Sequence, residues 1–323
     1  MSITLPEPLS YRPYLKGVYQ VAPLLRPFGS TQENAQTEED KIFQVDNDFD
    51  RYRETKIKSL SENPDKYFGR RDLSPEHEQA LIRFIIDTLC RESPEIFSYT
   101  NASPGISKLI CNHTQDELCL DEDYALITPI GPAKSTLEAL SLQIQEDFAL
   151  WRVEGNRDWM ALGSICLPNH WSPEEKFGQN FFTVHQPIAE SGPMIKNSAQ
   201  IVKTMIHKGP FVRFAWGMST DTRLNHHPEA PPGIAEDTWQ GRSFNDQSPE
   251  LWVRSERQCL VGFPELEMSF FTIRTYFENA AEIKKNLPHK VALQEALRSM
   301  TPASLEYKGL SKSLDSILNW LED

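Results

Sequence analysis

One stretch decides the fold class: Trp252-Val-Arg-Ser-Glu-Arg-Gln-Cys-Leu-Val-Gly-Phe263, then Pro264-Glu-Leu-Glu267, then Met268-Ser-Phe-Phe-Thr-Ile-Arg-Thr-Tyr-Phe277. The first and third segments are rich in the aromatic and β-branched residues that favour strands. The four residues between them suit a hairpin connection. The stretch therefore predicts two neighbouring antiparallel strands.

Two more strands are predicted upstream of this hairpin, at residues 159–167 and 211–219. Helices are predicted outside the strands, at residues 49–60, from Ser74-Pro75 onward, and at 135–151, 288–300 and 301–321. In the helix predicted for residues 135–151, the buried side chains are expected to be Leu137, Leu140, Leu142, Ile144 and Phe148.

Strands joined mostly by turns, with helices outside them, predict an α+β fold built on an antiparallel sheet. No glycine-rich phosphate loop follows any strand, which argues against NAD-binding and P-loop folds. We expect a single domain over residues 1–323, with an irregular N-terminal arm to about residue 70 and a helical tail from about residue 285.

Charge and cysteine content exclude several classes of function. The net charge is −13, whereas a nucleic-acid-binding surface or a polybasic membrane patch needs clustered positive charge. No run of about 18 apolar residues is present, and the N-terminus lacks the apolar core of a signal peptide, so we expect a cytoplasmic protein that does not cross a membrane. Five scattered cysteines without a CxxC pair indicate reduced thiols.

The segment from residue 171 to residue 188 carries the most informative histidine, His185. Apolar side chains surround it in the sequence: Phe181, Phe182, Val184 and Ile188. An axial haem ligand requires a neutral imidazole in such an apolar wall. A core histidine with both ring nitrogens hydrogen-bonded gives the same pattern, so the residues alone leave both interpretations open.

The other histidines have weaker patterns. His170 follows Pro168-Asn169 and is interpreted as a turn residue. His226 and His227 are neighbours in a loop, and adjacent side chains seldom converge on one metal ion.

Polar residues alternate along the predicted strand at residues 252–263. Arg254, Glu256 and Gln258 share one face by the two-residue period, and Arg257 lies on the other. The three polar residues on one face have two interpretations. They would line a polar pocket, for example around dioxygen or a haem propionate, or they would form a solvated sheet face with cross-strand pairs. The same two interpretations apply to two residues of the neighbouring predicted strand, Arg213 and Trp216.

Seven short motifs follow one another along the chain: Tyr11-Arg-Pro-Tyr-Leu-Lys-Gly17, Gln145-Glu-Asp147, Leu167-Pro-x-x-Trp171, Glu175-Lys176-x-Gly178, Val184-His185-x-Pro187, Arg254-x-Glu256-Arg257-Gln258 and Phe271-Thr-Ile-Arg-Thr-Tyr276. In this order and at these spacings they resemble the haem-dependent oxidative N-demethylase alpha-subunit family. The resemblance covers most of residues 11–280, which makes it more specific than any single motif.

The resemblance implies a haem-binding fold similar to PAS domains, with a curved antiparallel sheet, flanking helices, and N- and C-terminal helical extensions. It implies oxygen-dependent N-demethylation of a small secondary amine such as dimethylamine. It further implies a separate reductase that passes electrons from NADPH through FMN and a 2Fe–2S cluster, with tetrahydrofolate as acceptor of the one-carbon unit.

Individual site residues follow from the matched motifs and, for Phe182 and Arg213, from the sequence patterns described above. His185 stands where the family has Ile-His-x-Pro-Val-Pro, so the resemblance makes it the proximal ligand of a haem b iron. Trp171, Phe182 and Gln258 are expected beside the cofactor. The expected catalytic residues are Arg254, Glu256, Arg257 and Arg213.

Three stretches depart from the family pattern: residues 188–190, 29–39 and 220–246. The first replaces the family's Val-Pro-Gly with Ile-Ala-Glu, which leaves the substrate open. Two alternatives to the oxygenase remain at this point. One is a haem-binding sensor or binding protein without turnover, for which only the short tail Pro302–Asp323 would serve as an output segment; the other is a family member that has lost haem.

Overall fold

The computed structural model describes residues 4–29, 40–240 and 243–323. Its strands are β1 (Arg26–Pro27), β2 (Phe68–Arg70), β3 (Phe97–Ser103), β4 (Ile106–Cys111), β5 (Asp116–Leu120), β6 (Asp147–Glu154), β7 (Arg157–Ser164), β8 (Phe211–Ser219), β9 (Trp252–Phe263) and β10 (Met268–Asn279). Short 3-10 turns occur at Pro13–Lys16, Pro173–Glu175 and Pro264–Leu266.

The helices lie before, between and after the strands. They are α1 (Phe49–Glu62), α2 (Pro64–Tyr67), α3 (Pro75–Glu92), α4 (Thr136–Ser141), α5 (Phe181–His185), α6 (Gly192–Lys196), α7 (Ser198–His207), α8 (Glu236–Gln240), α9 (Ala280–Lys284), α10 (Leu287–Arg298), α11 (Pro302–Tyr307) and α12 (Leu314–Glu322). In the part of the chain that the structure describes, none of them has the length and apolar content needed to cross a bilayer.

The hairpin predicted from residues 252–277 is confirmed and lies near the centre of the main sheet. β9 and β10 pair antiparallel along their whole length, from Met268 opposite Phe263 to Asn279 opposite Trp252. Within the described residues this sheet has seven strands in the order β1-β8-β9-β10-β6-β7-β2. The predicted α+β class with an antiparallel sheet is therefore confirmed, and the closer likeness to PAS domains stays a prediction.

The predicted helix at residues 135–151 is wrong in its second half. Helix α4 ends at Ser141, and Asp147 begins strand β6, which pairs with both β7 and β10. The five side chains expected to be buried are buried. β6 is covered on both faces, so successive residues are apolar and the two-residue period that marks a half-exposed strand is missing.

Two further differences concern smaller elements. The predicted helix at residues 301–321 is two helices, α11 and α12, with Gly309 between them at φ +68°. Strands β3, β4 and β5, which form a separate antiparallel sheet, were not predicted. Of the expected irregular arm, residues 49–70 form α1, α2 and β2, and residues 30–39 lie outside the described residues.

Both faces of the seven-stranded sheet are covered. On one face, Phe148 and Phe270 pack with side chains of α1 and α3 in the main hydrophobic core. On the other face, Trp151 and Leu260 pack with side chains of α5 and α7. The sheet thus separates a dense core from a second layer, and the cavity described next lies in that second layer.

Candidate functional site

The sheet face that carries Glu256 and Gln258 borders a cavity of about 1510 Å³. Strands β6, β8, β9 and β10 supply its floor, with Trp151, Arg213 and Phe271 among the lining residues. Small-molecule sites usually measure about 300–1,000 Å³. This cavity therefore has room for a large planar cofactor together with a small substrate.

Two segments that lie far apart in the sequence complete the wall of the cavity: residues 12–26 of the N-terminal arm and residues 306–313 between α11 and α12. Two of the contacts that hold the arm involve Arg12 and Tyr19. Arg12 Nε lies 2.7 Å from a Glu278 carboxylate oxygen, and the Tyr19 backbone N–H donates to Ser299 Oγ at 2.8 Å. Segments from both ends of the described chain thus form part of the cavity wall.

His185 is the last residue of α5, and its ring lines the cavity. Asn180 caps this short helix by accepting a hydrogen bond from the Thr183 N–H at 2.8 Å. The imidazole stacks on the ring of Phe181, with centroids 3.9 Å apart. Its Nδ1 lies 2.8 Å from the Phe181 carbonyl oxygen, which can only accept a hydrogen bond, so the proton is on Nδ1.

This environment keeps the imidazole neutral and leaves one nitrogen available. Burial lowers the pKa of His185 to about 4, although the hydrogen bond to Phe181 acts in the opposite direction. With the proton on Nδ1, the lone pair is on Nε2, which has no hydrogen-bond partner among the described residues. A core histidine with both ring nitrogens hydrogen-bonded is therefore not what the structure contains.

The wall around His185 is apolar, as the sequence predicted. The lining side chains on this side include Trp151, Trp171, Phe181, Val184, Ile188, Met194 and Met205. Such surroundings suit the faces of a porphyrin, which require apolar contact.

The floor of the cavity is polar where β8 and β9 pair. Arg213 is opposite Gln258, and Gln258 Nε2 donates to a Glu256 carboxylate oxygen at 3.1 Å. Arg213 Nε and Gln258 Oε1 are buried without a hydrogen-bond partner. Buried polar atoms are rarely left unpaired, so this edge of the cavity offers unused donors and acceptors to a ligand.

These residues fit a haem. Nε2 of His185 would hold the iron, the apolar wall would contact the macrocycle, and the unpaired polar atoms would meet polar groups of the ligand. Among the described residues no three His, Cys, Asp or Glu side chains are grouped to hold a metal ion by themselves. An iron supplied within a macrocycle needs only an axial ligand from the protein.

Three of the expected site residues do not line the cavity. Phe182 is 44% exposed on the outer side of α5. Arg254 is buried on the same sheet face as Glu256 but does not line the cavity, and its guanidinium donates to the carbonyl of Leu167 at 3.0 Å. Arg257 lies on the opposite face of the sheet and donates to the carbonyl of Lys41 at 2.6 Å. The two arginines hold loops because their many donors satisfy several buried carbonyls at once.

Two histidines that the sequence did not assign to the site line the cavity, His170 and His226. The predicted turn at His170 has φ +61°, and its ring stacks on that of His226 with centroids 4.8 Å apart. His226 Nε2 donates to Asp221 at 2.9 Å, whereas its neighbour His227 bonds to Glu174. No sequence pattern links His170 to His226, because only the folded turn brings them together.

The fold and the cavity define an α+β protein whose antiparallel sheet carries a histidine-bearing site suited to a large planar cofactor. A family model described as haem-dependent oxidative N-demethylase, alpha subunit-like, matches residues 33–318. The chain belongs to this family. The resemblance inferred from the ordered motifs is thereby confirmed.

Proposed function

We propose that this chain is the haem-binding oxygenase component of an oxidative N-demethylase that acts on a small secondary amine such as dimethylamine. The observation that carries the proposal is His185, a neutral imidazole on an apolar cavity wall with its Nε2 unpaired among the described residues. Family membership supports the reaction class.

The reaction consumes one dioxygen, two electrons and two protons. It converts the N-methyl group to formaldehyde and releases the demethylated amine and water, and tetrahydrofolate would take up the one-carbon unit. A bound haem b would supply the redox-active iron at which dioxygen is activated. The electrons would come from NADPH through a separate reductase with FMN and a 2Fe–2S cluster, because the sequence has no CxxC pair of its own.

The residues of the chain would position the cofactor and the substrate. His185 would bind the iron through Nε2, and the Phe181 carbonyl would hold its ring in the required tautomer. The carboxylate of Glu256 would attract a protonated secondary amine to the floor. Arg213 would place a fixed donor where negative charge develops during the reaction, and Oε1 of Gln258 would accept a hydrogen bond from the ligand.

Absorption spectroscopy tests the ligand assignment. Protein expressed with a haem precursor should show a Soret band, and this band should be lost or strongly shifted in His185→Ala. His207→Ala serves as the matched control, because His207 is exposed at the end of α7. An unchanged Soret band in His185→Ala, with folding verified by circular dichroism, would contradict the assignment.

Turnover is tested separately by measuring formaldehyde released from dimethylamine with NADPH and a flavin and iron–sulfur reductase. We expect formaldehyde from the wild type and none from His185→Ala. Haem binding without formaldehyde from dimethylamine or other small secondary amines would favour a haem sensor or binding protein.

A further inference from the structure

The cavity is lined by an excess of positive charge, although the chain has a net charge of −13. Among the described residues, seven basic side chains line it against three acidic ones. The basic residues are Arg12, Lys16, Arg26, Lys176, Arg213, Lys308 and Lys312, and the acidic ones are Asp221, Glu256 and Glu306. An acidic protein that gathers cations around one cavity is suited to an anionic ligand there.

Lys308 brings one of these charges over the sheet from the segment between α11 and α12. A Cβ atom at Gly217 would lie 3.6 Å from Lys308 Nζ, so the ammonium group occupies the space that a side chain at position 217 would fill. Lys308 Nζ has no hydrogen bond or ion pair with any described residue. Burial lowers the pKa of Lys308, and the nearby Glu256 acts in the opposite direction.

Arg213 is the second uncompensated charge. It lies on the same strand as Gly217, and its Nη2 donates only a long hydrogen bond of 3.3 Å to the carbonyl of Ala22. Burial lowers its pKa as well, while the nearby Glu256 acts in the opposite direction.

Glu256 does not neutralise both cations. The carboxylate lies 3.9 Å from the guanidinium of Arg254, which is buried on the same face of β9. No carboxylate of the described residues lies within 4.0 Å of Arg213 or Lys308. The registers of β8 and β9 place Ala215 opposite Glu256, so Arg213 and Gly217 flank that carboxylate on the two sides.

We infer that Arg213 and Lys308 form a carboxylate-binding subsite of the cavity, one cation on each side of Glu256. Two ligands carry the required chemistry: a haem, through its two propionates, and an N-methyl amino acid as substrate, through its carboxylate. The haem alternative rests on the proposed haem binding, whereas binding of an N-methyl amino acid can be tested without it.

Haem titration tests whether the propionates of haem are the carboxylates that bind this subsite. Apoprotein is titrated with haem and with haem dimethyl ester, whose propionates are uncharged, in the wild type, Arg213→Met and Lys308→Met. If propionates occupy the subsite, each substitution weakens haem binding by about tenfold and leaves ester binding unchanged. Lys203→Met is the matched control, since Lys203 is exposed on α7 and does not line the cavity.

A second arm uses calorimetry on the apoprotein with N-methylglycine and with its methylamide, in which an uncharged amide replaces the carboxylate. If the substrate carboxylate occupies the subsite, N-methylglycine binds more tightly than the amide, and Lys308→Met removes the difference. Gly217→Val should act in the same way, because the new side chain displaces Lys308 without removing its charge.

Each ligand pair compares a carboxylate with its uncharged derivative. The inference is overturned if neither carboxylate binds more tightly than its derivative. It is also overturned if neither Arg213→Met nor Lys308→Met reduces such a preference. A protein that takes up no haem at all would contradict the proposed function. The calorimetric arm would then decide the carboxylate subsite alone.

Discussion

At the scale of single residues, the decisive feature is a histidine whose two ring nitrogens have different surroundings. The sequence predicted the apolar wall around His185 but left its hydrogen bonding open, because a partner four residues earlier exists only once Phe181–His185 is helical. The same limit applies to His170, which reaches the cavity through a turn with positive φ. Periodicity identifies the face of an element and does not identify the partner of a single ring atom.

The buried histidines predict an acid-sensitive apoprotein. Burial lowers the pKa of His185 and that of His170 to about 4, from an ordinary value of 6.5. Between pH 6.5 and 4 the unfolded chain takes up protons that the folded chain does not. The stabilising contribution is therefore complete above pH 6.5 and is lost as the pH falls toward 4, by at most about 1.4 kcal/mol per pH unit for each histidine.

Urea unfolding at pH 7 and pH 5 measures this contribution. The double variant His170→Gln/His185→Gln should lose less free energy of unfolding between the two pH values than the wild type does. Lys203→Gln, altered at an exposed residue of α7, should lose as much as the wild type. An equal loss in the double variant would show that the two buried imidazoles do not govern the acid sensitivity.

At the scale of elements, the accuracy of prediction depended on how many faces of a strand are covered. β9 and β10 were predicted because they are long and joined by a short connection, whereas β6 was mistaken for helix because it is buried on both faces.

The position of α7 relative to the sheet depends on a close backbone contact that no sequence pattern reveals. A Cβ atom at Gly262 in β9 would overlap the carbonyl oxygen of Ile206 near the end of α7.

Gly262→Ala should therefore push α7 away from the sheet and destabilise the protein by about 1–3 kcal/mol, the usual cost of overpacking a close contact. Gly192→Ala is the matched control, because a Cβ atom there meets nothing within 4 Å and its φ is not positive. Thermal unfolding of both variants measures the effect. Equal melting temperatures would mean that α7 adjusts without cost.

At the scale of the whole molecule, several of the family motifs fasten the N-terminal arm to the sheet. Gln145 accepts a hydrogen bond from the backbone N–H of Asp46 at 2.8 Å, and Glu146 accepts one from Gln44 at 2.9 Å. Arg274 forms a buried ion pair with Asp46 at 2.7 Å. The motifs identified the family correctly, yet much of their chemistry serves the fold, which is why a motif arginine is not by itself a site residue.

Asp46→Ala should destabilise the protein by about 3–5 kcal/mol, because Arg274 would keep its buried charge after losing its ion-pair partner. The control is Glu322→Ala, which breaks the exposed ion pair between Arg298 and Glu322. That change should cost about 0–1 kcal/mol. Chemical denaturation compares the two, and similar losses would show that the Asp46–Arg274 pair is compensated by its surroundings.

The cavity wall built from residues 306–313 has a consequence for biosynthesis. Translation proceeds from the N-terminus, so every strand of the sheet, and His185 with it, leaves the ribosome before Lys308 does. Residues 306–313 are therefore among the last parts of the cavity wall to become available, after the whole floor of the cavity has been synthesised.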